Sequence, residues 1–240
     1  MRRHEVRREK LMEKGYRAQW AFAPDAPADA PRRLLEAYAG LARRGAHLFG
    51  DLLCDTILSQ WAHYPEDDAI DRDSGFQWFY HSHAPEDRSP SSEHGHIHLF
   101  ARRGLWSRRL ASAREKQFLK LTGGVQEPVG TRHLLAISFD VKGIPTSMFT
   151  VNSWVTGDRM LSAGLTAELL ENLTLDTGHG AVDAVIECLV AMYRGEIRQL
   201  LDRRDEVLSG GRELDVLEDH GLEVLSEIRI DVDEKLQSAS

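Results

Sequence analysis

Histidines are concentrated in one stretch of this sequence. Of the eleven histidines in 240 residues, five fall within the eighteen residues from His81 to His98, where an even spread would place about one. His81 and His83 are two residues apart, and His94, His96 and His98 repeat the same spacing. Because successive side chains of a β-strand point to opposite faces, each set would lie on one face of a strand.

Imidazole is the commonest protein ligand for zinc, iron and copper, so this spacing indicates a metal site. A four-coordinate ion takes at most about four protein groups, and the remaining residues would then move protons or bind substrate. Glu93 and His98 are the candidate catalytic groups, because a carboxylate or an imidazole beside a metal can act as an acid or base. The candidate ligands of one divalent transition metal, which could be iron, zinc or copper, are His81, His83, His94 and His96.

The residues around these histidines predict a β-hairpin. Aromatic residues from Phe76 to Tyr80 precede the first set, and branched and aromatic residues from Ile97 to Phe100 accompany the second, a composition typical of strands. The polar, proline-containing segment from Ala84 to Glu93 predicts the connecting loop. If facing residue numbers sum to an odd value, as when His81 faces His96, all five imidazoles share one face, whereas an even sum would split the sets.

The whole chain predicts an α+β fold, with an antiparallel sheet of about four strands in two hairpins, covered by helices. The second hairpin is predicted from His133 to Val141 and from Thr146 to Val155. Helices are predicted over Arg32 to about Trp61, Ser107 to Leu121, Asp158 to Leu173 and about Ala181 to Leu208. Gly45 and Gly50 are expected to divide the first of these ranges into two helices or to kink it. The acidic segment from Trp61 to Gly75 reads as a turn, and Arg212 to Ser240 as a helix followed by a short strand or a second helix. We expect residues 1–31 to form a charged helix and linker, and residues 32–240 a single domain.

Composition narrows the choice of partners and location. The net charge of −8 argues against a nucleic-acid partner, and no apolar run is long enough for a membrane span. Only two cysteines, Cys54 and Cys188, are present and lie far apart, which is typical of a reducing compartment. We therefore expect a cytoplasmic protein with a small-molecule substrate, and its oligomeric state stays open.

Two local patterns resemble known enzyme families. The segment from His94 to Phe100 is similar to the histidine-triad hydrolases, which implies metal-free phosphate transfer with the middle histidine as nucleophile. The segment from Tyr80 to His83, with Ser91 eight residues on, resembles the JAMM-type zinc metallopeptidases, which implies a zinc hydrolase.

Over roughly residues 35 to 225 the chain is also similar to an uncharacterised bacterial family. The shared motifs are Trp61-Ala-His63-Tyr-Pro, Tyr80-His-Ser-His83, Glu93-His-Gly-His-Ile-His98, His133-Leu-Leu-Ala-Ile and Asn152-Ser-Trp-Val-Thr156. This resemblance implies one architecture, and it adds His63, His133 and Asn152 as residues that support the metal ligands or bind substrate.

Three functions follow from these patterns. The favoured one is a metal-dependent enzyme with a mononuclear histidine site, either a non-haem iron or copper oxidoreductase or a zinc hydrolase. The second is a non-enzymatic metal-binding or sensing protein, and the third is a metal-free enzyme resembling the histidine-triad hydrolases. An exchangeable water would distinguish the first from the second, and activity that survives chelators would indicate the third.

Overall fold

A six-stranded antiparallel sheet organises the residues that the computed structural model describes, which are 29–54, 62–82, 93–122, 130–210 and 216–238. Its strands follow one another in chain order: β1 Tyr64–Ile70, β2 Phe76–Ser82, β3 Glu93–Arg102, β4 Thr131–Asp140, β5 Pro145–Val151 and β6 Val224–Arg229. Both predicted hairpins, β2 with β3 and β4 with β5, are present. The α+β class is confirmed, but the expected number of strands was wrong.

The two additional strands, β1 and β6, lie at the edges of the sheet. β1 occupies the acidic segment that reads as a turn, and its ladder with β2 is interrupted between Tyr64 and Ala69. Proline and charge are features that edge strands use to avoid pairing with other chains. An edge strand also has only one neighbouring strand and is more exposed to solvent. Its sequence therefore shows less of the alternation of apolar and polar residues by which strands are recognised.

Nine α-helices lie within the described residues. They are α1 Ala30–Arg44, α2 Gly50–Leu53, α3 Arg103–Trp106, α4 Ala113–Thr122, α5 Ser153–Thr156, α6 Ala163–Leu170, α7 Gly180–Met192, α8 Arg194–Ser209 and α9 Val232–Ser238. None of these described helices is long and apolar enough to cross a membrane.

Several predicted helix boundaries need correction. The helix expected from Ala181 to Leu208 is two helices, α7 and α8, which are separated at Tyr193. The helix expected from Ser107 begins only at Ala113, after a 3-10 turn at Ser107–Arg109. Gly45 ends α1 in the left-handed conformation (φ 60°), a region that glycine enters without steric cost. The charged helix expected near the N-terminus lies outside the described residues.

The helices pack against one face of the sheet. Trp78, Ile97 and Leu135 point from the central strands into the same buried cluster as Leu189 of α7 and Leu200 of α8. The Trp78 indole donates a hydrogen bond of 2.9 Å to the Asp183 carboxylate of α7. Side chains that alternate with these strand residues therefore point to the opposite face of the sheet, away from α7 and α8.

A buried polar network fixes the start of α6. The Ser162 hydroxyl accepts a hydrogen bond from the Leu165 N–H within this helix, and the Ser162 N–H donates to the Glu115 carboxylate of α4 at 3.1 Å. The Asp205 carboxylate of α8 accepts from the Ala163 N–H at 2.8 Å and from the Arg204 guanidinium at 2.7 Å. Unpaired N–H groups at a helix start attract carboxylates, so this network links α4, α6 and α8.

Candidate functional site

Three of the clustered histidines meet on the sheet face opposite α7 and α8. β2 pairs with β3 so that His81 faces His96 and Phe79 faces His98, which confirms the predicted odd-sum register. The three imidazole side chains are buried, with exposed fractions of 7, 6 and 5% for His81, His96 and His98. Their ring centroids are 5.1 Å apart for His81 and His96, 4.6 Å for His96 and His98, and 6.3 Å for His81 and His98.

These imidazoles line a cavity of about 560 Å³, a size within the range of small-molecule sites. Its apolar surface includes the phenyl rings of Phe79, Phe100 and Phe149. The carboxylates that line it are Asp68, Glu93, Asp158 and Glu223. Imidazoles, an apolar surface and acidic groups therefore occur in one concave site.

A β-bulge at the start of β3 reverses the orientation of two predicted site residues. The ladder with β4 runs from Glu93 opposite Asp140 directly to Gly95 opposite Phe139, so one residue of β3 is extra at this point. Glu93 consequently faces the cavity. His94 lies on the helix side, where its Nδ1 is 2.6 Å from the Tyr80 hydroxyl. The expectation that His94 shares a face with His96 and His98 is therefore wrong.

A second bulge, in β4, brings His133 beside His98. Leu99 faces Leu135 and Phe100 faces His133, so Leu134 is the extra residue. Without it, period two would place His133 on the same face as Leu135. Instead His133 Nε2 lies 3.1 Å from His98 Nδ1.

His98 and His133 are held as neutral imidazoles. Burial, followed by the charges of the neighbouring His96 and His133, lowers the pKa of His98 well below its usual 6.5. Burial, and then the positive charge of Arg204, lowers the pKa of His133 to about 3. When the Nδ1–H of His98 donates to His133, the lone pair of His98 lies on Nε2, as a metal ligand requires.

Glu93 orients His96 in a similar way. The Glu93 Oε1 lies 2.6 Å from the His96 Nδ1. A carboxylate accepts hydrogen bonds, so the Nδ1 carries the proton and the lone pair lies on Nε2. A carboxylate behind an imidazole is the usual support of a metal-ligating histidine.

The remaining predicted residues lie in different places. His63 lines the cavity and stacks on Phe79 with centroids 3.6 Å apart, and its Nδ1 lies 3.0 Å from the Asp68 carboxylate. Asn152 is buried and caps α5: it accepts from the Ser153 N–H and donates to a backbone carbonyl at Val216. Through these contacts the Asn152 side chain binds backbone groups of α5 and of the segment at Val216. His83 falls outside the described residues.

The side chains as they stand do not form a finished metal site. Within the described parts of the chain, no group of three or more His, Cys, Asp or Glu residues is arranged to hold an ion, and the His81 and His96 rings lie nearly parallel, at 25°. Zinc lies about 2.1 Å from a ligating nitrogen, which places the centroids of two tetrahedral imidazole ligands about 5 Å apart. The observed separations of 4.6 to 6.3 Å span this value.

Several residues of the cavity were not predicted. Phe79 and Phe100 stand two residues from His81 and His98, so the same periodicity could have identified them. Asp158 gave no such signal, because it follows β5 and the short helix α5. Its carboxylate accepts a hydrogen bond of 2.7 Å from the Thr131 hydroxyl, and burial raises its pKa.

No curated protein and no solved structure matches this chain. The model of a family described as a domain of unknown function, DUF6969, matches residues 28–230. This range contains all six strands and both bulges. The match also covers most of the 240 residues, and the chain therefore belongs to the DUF6969 family.

Proposed function

We propose that the protein is a metal-dependent enzyme in which His81, His96 and His98 bind one divalent ion and leave a coordination position open. The observation that carries this proposal is the spacing of three buried imidazoles on adjacent strands, at 4.6 to 6.3 Å between centroids. Support also comes from the hydrogen bonds at the Nδ1 atoms of His96 and His98. Such bonds orient imidazoles so that Nε2 is the ligand atom.

This ligand set modifies the roles expected from the sequence. His98 becomes a ligand, because its ring lies with those of His81 and His96, whereas His94 is directed to Tyr80. Glu93 becomes the residue that orients His96, because its carboxylate already accepts from that ring. The catalytic role of Glu93 stays a prediction that a variant can test.

Three neutral nitrogen ligands favour zinc over the other metals expected. Non-haem iron oxygenases typically use two histidines and one carboxylate, and here the nearest carboxylate, Glu93, is engaged with His96. Zinc with three imidazole ligands activates water and polarises carbonyl or phosphoryl oxygens. We therefore favour a zinc-dependent hydrolase or lyase.

The chain itself supplies the other groups that such an enzyme needs. Asp158 is half-buried beside the cavity, and the raised pKa of its carboxyl suits the transfer of a proton nearer neutral pH. Thr131 fixes the orientation of this carboxyl through its hydroxyl. The phenyl rings of Phe79, Phe100 and Phe149 provide an apolar surface that binds substrate and displaces water.

The metal-free phosphate-transfer function receives less support. His96 is the middle histidine of its strand and is oriented by Glu93, which would suit a nucleophile. A phosphate site, however, needs cationic side chains or a ring of backbone N–H groups. Among the described residues that line the cavity, none is Lys or Arg.

Cobalt substitution tests the proposal and separates an enzyme from a binding protein. Cobalt(II) occupies zinc sites, and its visible absorption reports the number of ligands. The proposal predicts intense bands of a four- or five-coordinate ion that shift when azide is added, because azide enters the open position. Bands that do not respond to azide would indicate the saturated ligand shell of a binding or sensing protein. No visible bands at all would contradict the metal site.

A further inference from the structure

The charge of the cavity identifies the class of molecule that it binds. Its described lining contains four carboxylates, Asp68, Glu93, Asp158 and Glu223, and no Lys or Arg. Arg132, which comes from the neighbouring β4, packs against the Trp106 ring at 4.0 Å on the helix side of the sheet. A negatively charged concave site concentrates cations and repels anions.

Two of the carboxylates, Asp68 and Asp158, line the same cavity as the phenyl rings. Asp68 accepts a hydrogen bond of 3.0 Å from the Gln77 amide, and Asp158 accepts from the Thr131 hydroxyl. Both donors are neutral groups, and the Asp68 carboxylate also lies 3.0 Å from the Nδ1 of His63. Burial raises the pKa of Asp158, the hydrogen bond from Thr131 and the charge of Arg132 partly oppose this effect, and the charge of Asp68 adds to it. A cation between them would relieve this repulsion.

The aromatic rings add a second attraction for a cation. His63 covers the Phe79 ring at 3.6 Å between centroids, and Phe100 stacks with Phe79 at 5.4 Å. Phe149, which also lines the cavity, lies perpendicular to His96 at 5.2 Å, so Phe100 and Phe149 are the rings that a cation could approach. The face of a phenyl ring carries negative charge density, so it attracts ammonium groups as well as apolar carbon.

We propose that this cavity binds a substrate in which a cationic amino group is joined to an apolar portion of about the size of one aromatic ring, and that it rejects carboxylates and phosphates. The inference rests on the proposed function only in using the same site. Charge sets the class of substrate, and the imidazoles set where the reaction occurs.

Three probes of similar shape test this inference: benzylamine, benzyl alcohol and benzoate. Their binding to the full chain is measured by calorimetry at neutral pH, after chelation and removal of the chelator, so that benzoate has no ion to coordinate. We expect benzylamine to bind at least about tenfold more tightly than benzyl alcohol, and benzoate to bind most weakly. Benzoate binding as tight as that of benzylamine would overturn the inference.

Charge-neutralising variants test which carboxylates cause the preference for the amine over the alcohol. Asp68→Asn and Asp158→Asn keep the size of each side chain, and together they should reduce the preference for the amine over the alcohol to less than about threefold. Glu206→Gln makes the same change of charge at an exposed position of α8 that does not line the cavity, and should retain the full preference. An amine preference that survives in the double Asn variant would contradict the inference. The wild-type ranking of the probes tests it even if the double variant does not fold.

The results of these binding experiments can be distinguished from a failure of the proposed metal-dependent function. A protein that prefers the amine but binds no metal would support the charge argument and contradict the metal enzyme. A protein that binds metal but prefers benzoate in its metal-free form would contradict the charge argument alone.

Discussion

Glu93 determines how His96 is presented to the cavity. Its carboxylate holds the Nδ1–H of His96 at 2.6 Å and so keeps the lone pair on Nε2. The residue is 24% exposed in its side chain, so solvent screens its charge in part, and its main effect is to fix the tautomer and the ring orientation.

A Glu93→Gln variant should therefore fold normally and bind zinc about 10- to 100-fold more weakly, because an amide is a weaker acceptor than a carboxylate. Competition with a chromophoric chelator measures this affinity, and Glu206→Gln provides the matched control. Unchanged affinity would show that the carboxylate does not support the ligand. A loss of turnover with unchanged affinity would instead restore the catalytic role expected from the sequence.

At the scale of single residues, the two-residue periodicity correctly predicted which histidines share a face wherever the strands are regular. His81 faces His96 because both strands keep strict alternation through this part of the ladder. The same reasoning failed at His94 and did not predict the orientation of Glu93, since a bulge exchanges the faces of successive residues. The bulge depends on partner residues of β4 that no local pattern identifies.

At the scale of elements, Gly95 explains why the bulge in β3 can form. A Cβ atom at this position would lie 2.5 Å from the carbonyl oxygen of His81 and would also meet the Tyr80 hydroxyl. The backbone of β3 therefore approaches β2 and Tyr80 at a distance that only glycine permits.

We expect Gly95→Ala to lower the free energy of unfolding by about 1–3 kcal/mol, because backbone atoms must move to admit the methyl group. Urea denaturation of the metal-free protein measures the change. The matched control is Gly104→Ala in α3, where a Cβ meets nothing within 4 Å, and which should be neutral or slightly stabilising. Equal stability of the two variants would contradict this account of the bulge.

The elements themselves were predictable to different degrees. The two hairpins carry aromatic and branched residues on both faces, because helices cover one face and the cavity buries much of the other, and this composition marked them as strands. β1 has acidic residues where it is exposed, so its sequence is not distinguishable from a solvated turn. The break at Tyr193 between α7 and α8 comes two residues before Gly195, but a single glycine within a continuous apolar periodicity did not identify it.

At the scale of the whole molecule, the sheet separates a helical layer that stabilises the fold from a face that carries the proposed site. The helical layer contains its own buried carboxyl, Glu115, which is 1% exposed. Burial raises the pKa of this carboxyl above its usual 4.5, although hydrogen bonds from Ser162 and the charge of Arg204 oppose the effect.

Because the folded protein binds this proton more tightly than the unfolded chain does, Glu115 contributes stability below a pH of about 4.5 that is lost as the pH rises through the folded pKa. Glu115→Gln removes this titration. The unfolding free energy of the wild type minus that of the variant should therefore decrease from acidic to neutral pH, as measured by urea denaturation at a series of pH values. A difference that stays constant across the range would contradict the buried titration.

The most direct test of the metal site compares two histidines of the same strand. Wild type, His94→Ala and His96→Ala are reconstituted with zinc, iron or copper, desalted and examined by elemental analysis, with circular dichroism to confirm folding. Because His94 is directed to Tyr80 and His96 to the cavity, wild type and His94→Ala should each retain about one ion per chain and His96→Ala less than about a tenth. Less than about a tenth of an ion in the wild type with all three metals, or loss of the ion from His94→Ala but not from His96→Ala, would contradict the proposed site.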